Sequence, residues 1–141
     1  MTAINKLYTA QATATGGRNG QVSTSDGVLN LEVRMPKELG GNGIGYTNPE
    51  QLFAAGYAAC FDSALNLVIR TAKVEAGATT VTADVSLGKN NEGGYGLSVK
   101  LAVSIPGTDR QTAQQLMEKA HQVCPYSNAT RGNIEVELTL V

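Results

Sequence analysis

From Asn48 to about Lys73 the chain reads as a single helix that is apolar nearly all the way round, breaking by Gly77. Asn48 suits the N-cap, Pro49 the first helical position, and Glu50 the first turn, where a carboxylate meets the positive end of the helix dipole. A helix with this pattern must be covered on every side. The two membrane-free ways to do that are a large core or a second subunit. A chain of 141 residues is one domain by length, spanning 1–141. It buries roughly 68–70% of its unfolded surface and needs no disulfide or metal to hold a core. It can hardly surround such a helix alone, so the sequence predicts an obligate homodimer. Asp62 and Asn66 stand in the middle of Leu52–Ile69. Charge at mid-span is costly in a bilayer, so the segment reads as a core helix and not as a membrane span.

The other elements are shorter. Leu7–Thr15 reads as a strand ending at the Gly16-Gly17 turn, and Gln21–Ser25 as a second strand followed by Asp26-Gly27, a hairpin signal. Leu29–Arg34 alternates apolar and polar residues, the period of a half-buried strand, and Pro36 ends it. Val81–Gly88 and Leu97–Ile105 alternate in the same way around a turn at Asn90–Gly94. Thr108-Asp109-Arg110-Gln111 resembles a capping box. It opens a helix with Ala113, Leu116, Met117, Ala120, Val123 and Cys124 on one face, and Ile134–Val141 reads as a last strand. Strands, a long helix, two strands, a helix and a strand make an α+β domain.

Lys and Arg number 11 against 12 Asp and Glu, a net charge of −1 with no basic cluster, so the footprint of a nucleic-acid binder is missing. The N-terminal residues lack the apolar core of a secretory signal. With that, two cysteines point to a reducing cytoplasm, where a structural disulfide is unusual and a transient one is feasible.

Redox, nucleophilic or soft-metal chemistry has few residues to pass through: Cys60, Cys124 and His121. Buried cysteines usually pack as small inert hydrophobes, and composition alone leaves that reading ahead of catalysis. A reactive Cys60 needs a nearby cation to favour its thiolate, and no neighbour in sequence supplies one. Arg18, at the tip of Gly17-Arg18-Asn19-Gly20, and Arg131 are the candidates; both also suit solvated turns. Glu50 is explained by the helix dipole alone. His121 and Cys124 share a helix face, yet no third group completes a nucleophile triad. There is no CxxC or ligand cluster for a metal. The Gly40–Gly45 loop fails both phosphate-binding patterns, because it lacks Gly-Lys-Ser/Thr and has Tyr46 where a third glycine belongs.

The segments Thr47–Phe61 and Cys124–Asn133, with the turn Gly16–Gly20, resemble the organic hydroperoxide resistance (Ohr) branch of the OsmC/Ohr superfamily, across essentially the whole chain. The resemblance implies an intertwined dimer in which two mixed β-sheets wrap long central helices, with active sites at the subunit interface. It implies a thiol peroxidase that reduces organic hydroperoxides, fatty-acid hydroperoxides included, to alcohols. Cys60 then matches the peroxidatic thiolate and Cys124 the resolving thiol. Arg18 and Glu50 match the polar pair that holds the thiolate and orients the peroxide. The implied reductant is a dithiol, typically a lipoylated protein, and no cofactor or metal is implied. Phe53, Tyr57, Phe61, Met117 and Tyr126 would form the apolar surroundings that favour bulky hydroperoxides over hydrogen peroxide. Two rival functions are a lipid-carrying dimer with inert cysteines and a protein disulfide oxidoreductase, the latter disfavoured by the missing CxxC.

Overall fold

A computed structural model describes residues 3–141. The chain separates into two compact units that meet at Pro49 and Glu50.

The first unit is built on a three-stranded antiparallel sheet of β1 (Ala12–Thr15), β2 (Gly20–Thr24) and β3 (Asn30–Val33), in that order. A parallel bridge between Val33 and Thr47 makes the pairing mixed. The β1–β2 link is a 3-10 turn over Gly17–Asn19, with Arg18 at its centre. Glycine is required at both shoulders. Gly16 has φ 75°, and a Cβ on Gly20 would lie 1.7 Å from the Thr15 carbonyl oxygen. Asp26 closes the β2–β3 turn by accepting the Val28 N–H and the Thr24 hydroxyl. The predicted first strand is shorter than the sequence suggests. Its pairing with β2 ends at Ala12 opposite Thr24; the Gln11 carbonyl still accepts from the Ser25 N–H where the turn begins, and Leu7–Gln11 lie outside the strand and exposed. Among the described residues of this unit, Val33 alone is buried.

The second unit opens with α1 (Pro49–Ala72) and continues through β4 (Thr80–Lys89), β5 (Tyr95–Ser104), α2 (Arg110–Val123), α3 (Pro125–Thr130) and β6 (Val136–Leu140). β4 and β5 form a ten-residue antiparallel hairpin, and β6 joins β5 in parallel through the two helices, so this sheet is mixed. The architecture is α+β, as the element order predicts. Tyr57, Phe61, Leu65 and Ile69 of α1, Leu116, Met117 and Ala120 of α2, and Val99, Leu101 and Val103 of β5 make one core. The side chains of β4, β5 and β6 alternate between that core and solvent.

Helix α1 is buried along one stripe only: Tyr57, Phe61, Ala64, Leu65, Val68 and Ile69. Ala55, Ala59, Ser63 and Leu67 face outward, Leu67 with 52% of its surface exposed. One chain therefore leaves much of this apolar helix uncovered. By length and composition α1 could cross a membrane. Its mid-helix polar residues are held within the unit: Thr79 donates to Asp62 (2.5 Å) and accepts from Asn66 (3.0 Å). The helix stops at Ala72 because Lys73 turns to φ 55°, letting the Lys73 and Val74 N–H groups bond back to Arg70 and Ile69.

Two details correct the sequence reading. The N-cap of α2 is Asp109, whose carboxylate accepts from the Thr112 N–H and hydroxyl, in place of a Thr108–Gln111 box. Those bonds hold its carboxyl below the usual carboxylate range. The second finding is α3, a short helix absent from the periodicity. Pro125 pushes Cys124 out of the helical region (φ −65°, ψ 124°) and restarts the chain as a new helix.

Candidate active site

Cys124 occupies the joint between α2 and α3. Its N–H still bonds to Ala120 and its carbonyl already accepts from Asn128, so it caps both helices while its side chain turns fully inward. Cys60 lies on α1, half-buried. Both are free thiols, and the Cys124 Sγ–H points at the Cys60 Sγ from 3.8 Å. The two cysteines, far apart in sequence, are thus in sulfur contact, and a disulfide needs an approach of only about 2 Å more.

The environment of Cys60 is not that of an activated thiolate by itself. Burial pushes its thiol pKa up, and the neighbouring Cys124 adds to this, while the backbone N–H of Tyr126 works in the opposite sense. Among the residues of its own unit, that N–H is what favours the anion. Beside Cys60 a depression of about 400 Å³ is lined by Ser63, Ala64, Leu67, Arg70, Val123 and Pro125. Its walls are apolar, with Arg70 on the rim.

The apolar residues expected around the site divide by exposure. Tyr57, Phe61 and Met117 are fully buried core side chains. Phe53 is half-buried and Tyr126 is 38% exposed. Phe53, Tyr57 and Tyr126 form a cluster with ring centroids 5.6–6.3 Å apart. Gly56 admits the Tyr126 ring: a Cβ there would stand 2.7 Å from the phenol oxygen.

His121 does not pair with Cys124. Its Nδ1 lies 2.8 Å from the Ser127 hydroxyl, and burial, with the Arg131 charge, lowers its pKa. Arg131 is tied to the His121 carbonyl and to Asn128. Arg18 lies half-buried in the first unit; Glu50 begins the second, in the first turn of α1. Ten residues of helix separate Glu50 from Cys60, about 15 Å along the axis. No three His, Cys, Asp or Glu side chains come together among the described residues. Sequence reading missed Ser127, Thr130 and the Tyr126 N–H. The signal that could have found them is Cys124-Pro125, which breaks the helix and turns the following residues back toward α1.

A half-exposed thiol on a long apolar helix, touching a fully buried thiol at a helix joint, defines a dithiol protein of the α+β class. Comparison with known proteins makes this particular. Residues 40–139 match the family model described as OsmC-like protein. The chain is 53% identical over 135 residues to the organic hydroperoxide resistance protein of Xanthomonas axonopodis pv. citri, covering 95% of this chain and 94% of that one. It is 54% identical over 134 residues to organic hydroperoxide resistance protein OhrA of Bacillus subtilis, covering 94% of each. The crystal structure of an organic hydroperoxide resistance protein from Elizabethkingia anophelis superposes with a TM-score of 0.93 at 64% identity, over 97% of this chain and 98% of that one. The chain belongs to the OsmC-like family, within its organic hydroperoxide resistance branch.

Proposed function

We propose that this protein is a cysteine-based peroxidase that reduces organic hydroperoxides to alcohols. The observation that carries the reading is the contact between a half-exposed Cys60 and a buried Cys124 at 3.8 Å. The names of its relatives, organic hydroperoxide resistance proteins, supply the substrate class. The Cys60 thiolate attacks the O–O bond, taking one oxygen as a sulfenic acid and releasing the other as the alcohol. The Cys124 sulfur then displaces that hydroxyl as water, forming a disulfide that blocks over-oxidation. A dithiol, such as a lipoylated protein in a reducing cytoplasm, returns both thiols by exchange and leaves as its own disulfide.

Arg18 supplies the cation that favours the Cys60 thiolate, and Glu50 holds that guanidinium by a bidentate pair. Phe53 and Tyr126 have the exposed surface to touch an organic tail, backed by buried Tyr57, Phe61 and Met117. The working unit is one intertwined domain per chain, assembled as a homodimer. The uncovered face of α1 and the thinly buried first sheet both support it. The 15 Å of helix between Glu50 and Cys60 favours a site completed by a second copy. A monomer of 14.7 kDa in sedimentation that retains full activity would remove this part.

A free-thiol count tests the function. Reduced protein given one equivalent of tert-butyl hydroperoxide should lose both thiols quickly, and with hydrogen peroxide far more slowly. Arg18→Ala should move the pH at which the loss is half-maximal upward, because the thiolate loses its cation. Two surviving thiols would mark the cysteines as packing and favour a carrier.

A further inference from the structure

Cys124 sits at a joint that neither helix holds alone, with the extended backbone Pro125 imposes. The joint is bridged from both sides. His121, three residues before Cys124, meets Ser127, three residues after it, through Nδ1 and the hydroxyl at 2.8 Å. The same Ser127 hydroxyl lies 2.8 Å from the Tyr57 phenol oxygen, which also lies 3.2 Å from the Thr130 hydroxyl. Tyr57 stands three residues before Cys60 on α1. One chain of hydrogen bonds therefore ties the helix bearing Cys60 to both helices that flank Cys124. Tyr57 and Ser127 are fully buried and Thr130 nearly so.

Counting protons shows which member matters. Thr130 gives its proton to the Ser127 carbonyl, so toward Tyr57 it can only accept. With His121 Nδ1 unprotonated, Tyr57 donates to Ser127 and Ser127 donates to His121. With Nδ1 protonated, the order runs the other way and Tyr57 donates to Thr130. Every hydroxyl keeps a partner in both states, and Ser127 is the member that links α1 to α2 in each. Simple packing does not require three buried polar side chains here. A fully satisfied network specifies one geometry, whereas apolar replacements would tolerate several.

We propose that Ser127, through His121 and Tyr57, is a positioning residue that sets the spacing of Cys60 and Cys124. It acts on the step in which the Cys124 sulfur bonds to Cys60, the sulfenic S–O bond breaks, and hydroxyl leaves as water with the Cys124 proton. The inference rests on the thiol cycle proposed above. Closing a bond between thiols on separate helices depends on their effective concentration, which small errors of placement reduce steeply.

The test compares Ser127→Ala, His121→Ala and His121→Asn with the wild type in the full chain. Loss of the first thiol to tert-butyl hydroperoxide is followed separately from disulfide closure, with dimedone trapping the sulfenic acid. The Cys60–Cys124 couple is also equilibrated against dithiothreitol. Ser127→Ala and His121→Ala should leave the first step near the wild-type rate and slow closure about tenfold, because the tie between α1 and the Cys124 joint is lost and the two sulfurs are less well placed. The couple should become easier to reduce by about 30 mV, which is that tenfold in equilibrium constant. His121→Asn, which keeps a polar atom where Nδ1 stood, should restore both. Unchanged closure and potential in folded Ser127→Ala or His121→Ala would overturn the proposal, as would equal slowing of the first step. If Ser127→Ala fails to fold, His121→Ala decides, since its ring is partly exposed. If peroxide forms no disulfide in the wild type, the thiol cycle is wrong, while the dithiothreitol equilibrium still judges the positioning role.

Discussion

Cys60→Ser is expected to abolish hydroperoxide reduction, by at least about 10³-fold, because a serine hydroxyl is no substitute for a thiolate nucleophile. Cys124→Ser should behave differently. It should still consume one equivalent of organic hydroperoxide and then stall, because the sulfenic acid on Cys60 has no thiol to condense with. With excess peroxide it should gain further oxygen atoms at Cys60, up the irreversible part of the oxidation ladder. The asymmetry comes from burial: Cys60 is half-exposed beside an open depression, whereas Cys124 has no exposed surface. A bulky hydroperoxide can therefore reach one sulfur and not the other. Turnover assays with intact-mass measurement of each variant check this. An active Cys60→Ser protein, or one-equivalent oxidation that survives only in Cys60→Ser, would reverse the assignment.

Phe61→Ala should be the most damaging single truncation next to the site, and its damage should be to stability. The ring is fully buried among residues of α1, α2 and β5, with its centroid 6.5 Å from that of His121. Deleting a buried phenylalanine side chain costs about 3–5 kcal/mol, because the cavity left behind collapses only in part. At about 3 °C per kcal/mol for a chain of this size, the midpoint of thermal unfolding should fall by roughly 10 °C. Phe61→Leu keeps most of the volume and should cost less than about 1.5 kcal/mol. Its KM for a bulky hydroperoxide should match the wild type, since the ring offers no surface to a substrate. A raised KM in Phe61→Leu with an unchanged unfolding midpoint would show instead that the pocket opens onto this ring during turnover.

Much of the second unit was legible in the sequence. Asn48-Pro49-Glu50 marks the start of α1 because cap, proline and acidic residue each suit one position of a helix N-terminus. β4 and β5 follow from strict alternation, since a sheet with one buried face forces a period of two. The first strand was overextended because Thr, Tyr and Ala content up to a glycine turn says nothing of whether a partner strand reaches as far as Leu7. Helix α3 was missed because six residues are too few to show a period. The cap of α2 moved by one residue because Thr108 and Asp109 both suit the position, and only the backbone path selects Asp109.

The site was legible as residue types and not as a place. From the residues alone Cys60 and Cys124 read first as inert packing, and His121 as a neighbour of Cys124. The sequence by itself determined a long apolar helix too large for one chain to cover, an α+β order of elements, and two thiols as the sole soft nucleophiles. These are consequences of local propensity and periodicity, which act within a few residues. Tertiary structure alone decided that the two sulfurs touch, that the His121 ring turns to Ser127, and that Tyr57 closes the network. Those are distances between segments separated by up to 73 positions. They are set by how α1, α2 and α3 pack around one core, and no local rule of sequence encodes them.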